Sequence, residues 1–147
     1  MKPSDVYHTG IVVEDVDATA ALMAESFGYR WGPTVGAEVA IVTPEGERTI
    51  AMRLAYSAVE PRLELVQVVP GTIWADLGVH HVGFWSDDVD ADCAALVAKG
   101  MDLEVTAPGD DGSARWAFCR AGTGPRIEVV SRAMKAAIES LFVTPAS

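Results

Sequence analysis

Two histidines at matching places in an internal repeat are the residues best placed to do chemistry. His8 stands in the stretch Val6-Tyr7-His8-Thr9-Gly10-Ile11-Val12-Val13, and His81 in Val79-His80-His81-Val82-Gly83-Phe84-Trp85. An offset of 73 carries His8, Gly10, Asp15, Val16, Asp17 and Ala18 onto His81, Gly83, Asp88, Val89, Asp90 and Ala91. Self-similarity at a fixed offset points to a duplicated module. Each copy also holds a carboxylate inside an apolar run: Arg62-Leu63-Glu64-Leu65-Val66 and Arg126-Ile127-Glu128-Val129-Val130. A glutamate there is costly unless it is paired or bound to a metal.

Strand side chains alternate, so Arg62, Glu64 and Val66 share a face, as do Arg126, Glu128 and Val130. If His8 and His81 point to the same place, the site holds two imidazoles and two carboxylates. That set suits one divalent ion such as zinc, nickel, cobalt or manganese, and the ligands alone do not choose among them. Taken singly, each histidine is better read as a packed core or edge residue, and each glutamate as the partner of Arg62 or Arg126. The fourfold arrangement favours the metal. Gly10 and Gly83, two residues after each histidine, leave room on the same face. His80 should face the other way, in a packing or hydrogen-bonding role.

The elements that must position these residues are legible in outline. A Val- and Ile-rich strand is expected at about 6–13. A helix follows at about 16–27, with Asp15 as N-cap, Gly28 as terminator and Val16, Ala20, Met23 and Phe27 on the buried stripe. Strands are expected at 38–43, 48–56 and 62–69. A linker at 70–78 leads to a second copy. That copy has a strand at 79–86, a helix at 89–99 with Val89, Cys93 and Leu96 on its stripe, and strands at 102–107, 114–120 and 125–131. Residues 132–142 should form a terminal amphipathic helix with Ala133, Ala137, Leu141 and Phe142 inward, and 144–147 a frayed tail. The fold class is therefore α+β. Two paired βαβββ modules, at about 5–70 and 78–131, should curve into an open cup around a shared pocket, all within a single domain over 1–147.

Composition narrows the function classes. The chain has 147 residues, long enough to bury a sizeable core without disulfides. Its net charge is −10, and neither half is basic, so no nucleic-acid or anionic-membrane partner is expected. No signal-peptide core or membrane-length apolar run is visible, and a cytoplasmic protein is the expectation. Cys93 and Cys119 lack a paired C-x-x-C spacing and read as two buried free thiols.

The residues resemble the vicinal oxygen chelate superfamily, which includes glyoxalase I, methylmalonyl-CoA epimerase, extradiol dioxygenases and bleomycin-type resistance proteins. The string GVHHVGFWSDDVDA at 78–91 is the most specific part and is similar to the methylmalonyl-CoA epimerase-like branch. HTGIVVEDVDA, RLELVQ and RIEVVS fit the same pattern. The resemblance implies paired βαβββ modules, and it places His8, Glu64, His81 and Glu128 on metal-ligand positions. It also implies a Lewis-acid isomerase, epimerase or lyase that abstracts a proton beside a chelated carbonyl, with Glu128 and Glu64 as candidate bases. Alternatives are an Fe(II) extradiol-type dioxygenase and a non-catalytic small-molecule-binding protein of the resistance type. Arg62 and Arg126 are candidate contacts for a substrate carboxylate or carbonyl. Trp85, Trp116, Met52 and Phe118 are candidates for an apolar pocket wall, with Trp31 and Trp74 as further possible lining. The expected partners are a small-molecule carbonyl substrate and a second copy of the chain in a homodimer.

Overall fold

The computed structural model describes residues 1–143; the frayed tail expected at 144–147 lies outside the described residues. The first repeat forms β1 (Val6–Val13), α1 (Val16–Phe27), β2 (Val35–Thr43), β3 (Gly46–Tyr56) and β4 (Leu63–Gln67). The second forms β5 (Gly78–Ser86), α2 (Val89–Ala98), β6 (Asp102–Pro108), β7 (Ala114–Arg120) and β8 (Arg126–Ser131). The order βαβββ therefore occurs twice, in a mixed α+β fold. Hydrogen-bonded neighbours run β1-β4-β3-β2-β6-β7-β8-β5, and the order closes on itself. Val42 of β2 and Thr106 of β6 form one antiparallel bridge in that order. Among the described residues, no helix is long and apolar enough to cross a membrane.

Backbone contacts divide the chain into two compact units that cross the repeat boundaries. One comprises Met1–Tyr7, Val39–Ile50 and His81–Lys135; the other comprises His8–Glu38, Ala51–His80 and, of the described residues, 136–143.

Within each repeat the same local chemistry sets the helix against the sheet. Asp15 caps α1 by accepting from the Ala18 N–H at 2.9 Å, and Asp88 caps α2 by accepting from the Ala91 N–H at 2.9 Å. Each bond satisfies one amide that has no partner within the helix. Gly28 ends α1 in the left-handed region at φ 73°, where a side chain is disfavoured. Val16, Ala20 and Met23 of α1 pack with Ala55 and Leu65 of the sheet. Val89, Cys93 and Leu96 of α2 pack with Ala117, Cys119 and Val129 of the sheet. Leu65 follows Glu64 and Val129 follows Glu128. One face of β4 and of β8 thus feeds the helix-covered core, while the other presents the glutamate.

Two expectations about apolar faces fail. Phe27 is 73% exposed; Trp31, from the segment after the helix, packs on that cluster instead. The C-terminal stretch is a five-residue helix, α3 (Lys135–Glu139), between 3-10 turns at Arg132–Met134 and Ser140–Phe142. Three residues per turn in those ends rotate the buried stripe. Ile138 and Phe142 are buried, Leu141 is half-buried, and Ala133 and Ala137 are exposed.

Candidate metal centre

The short loop between β3 and β4 sets the position of Glu64. Ser57 donates its N–H to Leu63 O at 2.8 Å, and its Oγ accepts from the Leu63 N–H at 2.9 Å. Arg62 donates to Ser57 O at 2.5 Å. Strand β4 then runs parallel to β1 with Glu64 opposite Gly10, and antiparallel to β3 with Glu64 opposite Tyr56. The second repeat reproduces this register: β8 runs parallel to β5 with Glu128 opposite Gly83, and antiparallel to β7 with Glu128 opposite Phe118. Arg120 donates to Gly124 O at 2.7 Å and ties the loop that leads into β8.

Each histidine meets the glutamate of its own repeat. His8 Nε2 lies 3.3 Å from Glu64 Oε2, and His81 Nε2 lies 3.3 Å from Glu128 Oε2. All four residues are buried: His8 is 2% exposed, Glu64 4%, His81 1% and Glu128 8%. Each offers one ligand atom, and these atoms all lie within 4.8 Å of one another. Two imidazole nitrogens and two carboxylate oxygens so grouped are a donor set that fits one divalent cation. The cation would also offset the cost of burying each carboxylate.

The remaining site candidates fall into two groups. Trp116 is half-buried and stands edge-on to Phe118 at 5.7 Å, and Phe118 stands edge-on to His81 at 5.0 Å. Trp85 is buried and stacked on Tyr7 at 3.8 Å, and Met52 is half-buried in β3. Of the two arginines, Arg126 pairs with Glu104 at 2.6 Å, while Arg62 reaches Glu60 at 3.4 Å and lies over the Phe142 ring at 3.9 Å. His80 is turned to other work: its Nε2 lies 2.6 Å from Ile73 O and its ring stacks on buried Trp74. Tyr56 and Phe142 were not among the sequence candidates. The repeat offset could not reveal them, because the β3–β4 and β7–β8 loops differ in length and Phe142 has no counterpart in the first repeat.

Comparison with known proteins follows the same lines. The sequence profile described as "Glyoxalase/Bleomycin resistance protein/Dioxygenase superfamily" matches residues 7–119. No curated protein matches the sequence. A variant of Streptomyces coelicolor methylmalonyl-CoA epimerase, solved in complex with 2-nitronate-propionyl-CoA, is similar in structure. It is 25% identical, with 86% of this chain and 93% of that chain covered and a TM-score of 0.60. Methylmalonyl-CoA epimerase from Mycobacterium tuberculosis is 20% identical, with 92% of each chain covered and a TM-score of 0.63; at that identity the likeness is one of fold.

Proposed function

Because the chain belongs to the glyoxalase/bleomycin resistance protein/dioxygenase superfamily, we propose that it is a divalent-metal-dependent isomerase, epimerase or lyase that removes a proton next to a chelated carbonyl. The observation that carries this reading is the grouping of His8, Glu64, His81 and Glu128. The Streptomyces neighbour, a variant of an epimerase 25% identical to this chain, supports enzymatic activity in general.

A bound divalent ion would supply Lewis-acid stabilisation of negative charge developing on a substrate oxygen. The chain's own residues supply the rest. His8, Glu64, His81 and Glu128 would hold the ion, and the two carboxylates would balance its charge. One glutamate accepts the proton at a carboxylate oxygen. Glu128 is the first candidate, since its side chain is 11% exposed against 6% for Glu64. Phe118, Trp116, Met52 and Trp85 limit water near the reacting carbon, and Arg62 and Arg126 orient a polar group of the substrate. The substrate is a small carbonyl compound. Acyl-CoA thioesters are the first class to test, given the ligand of the Streptomyces relative. The protein works as a cytoplasmic homodimer without nucleic-acid or membrane partners.

The test is proton exchange in D2O, followed by NMR, with the metal-loaded protein and a panel of acyl-CoA thioesters and other carbonyl compounds. Exchange beside the carbonyl that disappears with a chelator is the expected result. Metal uptake with no exchange across the panel would favour a binding protein, and oxygen consumption with a catechol would favour an Fe(II) dioxygenase.

A further inference from the structure

Two chains of aromatic rings end on the two histidines of the centre. In the first repeat Phe142 meets Tyr56 at 5.3 Å and 62°, and Tyr56 meets His8 at 5.6 Å and 88°. In the second Trp116 meets Phe118 at 5.7 Å and 87°, and Phe118 meets His81 at 5.0 Å and 87°. Strand register makes the middle rings equivalent: Tyr56 lies opposite Glu64, and Phe118 lies opposite Glu128. It also makes Leu54, opposite Val66, the equivalent of Trp116, opposite Val130.

The outer rings therefore come from different places. The second repeat draws its outer ring from its own strand, two residues before Phe118. The first repeat has a leucine at that position, and its outer ring comes from the far end of the chain. Phe142 is seated by specific contacts. A Cβ on Gly32 would fall 1.9 Å from Leu141 O, so only glycine permits the approach of this segment. The Arg62 guanidinium lies over the Phe142 ring at 3.9 Å. Ile138 and Phe142 are both buried.

We infer that the C-terminal segment is a positioning element of the metal centre: Phe142 fixes the plane of Tyr56, which fixes the imidazole plane of His8. This rests on the metal-centre reading above. Edge-to-face contacts prefer one ring orientation, and groups behind a ligand histidine set how well it meets a metal. A ring pair of this kind shifts an equilibrium roughly twofold to tenfold.

The experiment is Co(II) titration of the full-length metal-free protein, with its visible absorption bands recorded, for wild type, Phe142→Leu, Phe142→Met, Phe142→Tyr and Trp116→Leu. The thermal midpoint of each metal-free protein is measured alongside. Loss of the ring in Phe142→Leu should weaken cobalt binding roughly twofold to tenfold and alter the bands, while Phe142→Tyr keeps both. Trp116→Leu should do the same from the other repeat. Phe142→Met provides a second ringless side chain should the leucine variant fold poorly. Wild-type affinity and bands in the ringless variants would overturn the inference, and so would an equal loss in Phe142→Tyr. A wild type that takes up no cobalt would instead overturn the metal reading and, with it, this role for Phe142.

Discussion

Glu128 Oε2 lies 3.3 Å from His81 Nε2, in a strand pair where Glu128 sits opposite the side-chain-free Gly83. His81→Ala should abolish stoichiometric metal uptake, and His8→Ala should do the same, because either loss leaves the ion one nitrogen short. Mass spectrometry of protein purified without added metal gives the content. Saturating metal should raise the thermal midpoint of wild type but not of either variant, since a ligand that binds only the folded state stabilises it. Equal metal content in all three proteins would move the site elsewhere.

Glu128→Gln and Glu64→Gln separate ligation from proton transfer. The amide keeps the shape of the carboxylate and one coordinating oxygen but is not a base. Glu128→Gln should lower proton exchange by about 10²- to 10⁴-fold while the protein still holds metal. If Glu64→Gln proves the more damaging to exchange at equal metal content, the base is Glu64.

The two N-caps should contribute to stability to a similar degree. Asp15→Ala and Asp88→Ala each remove one bond to a first-turn amide, at Ala18 and Ala91. Each should cost about 1 kcal/mol in urea unfolding. No change in either variant would mean that water replaces the cap fully.

Acid sensitivity should trace in part to Asp5. The Lys2 backbone N–H, and then the Arg132 guanidinium at 3.0 Å, hold its carboxyl below the ordinary value. A folded-state pKa below the unfolded one gives stability that is fully present above the unfolded value and lost as pH falls through the folded one. Asp5→Asn should therefore lose stability at neutral pH and show a shallower decline below about pH 4. Parallel curves for variant and wild type in that window would remove Asp5 from the account.

Cys93 and Cys119 should resist thiol reagents in the native state. Both are buried between α2 and the sheet. Interaction with Cys119, and then burial, pushes the Cys93 thiol well above its ordinary range. The same interaction lowers the Cys119 thiol, so that Cys119 is protected by its complete burial alone. A disulfide-type colour reagent should report two thiols per chain only after unfolding. Rapid labelling of either in folded protein would show that α2 opens readily.

The repeat, the capped helices and the His–Glu set were legible because each rests on local pattern. Apolar alternation marks a strand, an aspartate before an apolar stripe marks a helix start, and an offset of 73 aligns His8 with His81. Glu64 and Glu128 stood out because a carboxylate in an apolar strand demands a partner. Long-range facts were not legible. Only strand pairing sets Glu64 against Tyr56 and Gly10, and Glu128 against Phe118 and Gly83. Only packing replaces Phe27 with Trp31 on the first core, and only the 3-10 ends of the last segment turn Ile138 and Phe142 inward in place of Ala133 and Ala137. Periodicity measures a residue against its near neighbours in sequence. The ring that backs Tyr56 is supplied from the opposite end of the chain, and nothing but the tertiary structure could bring it there.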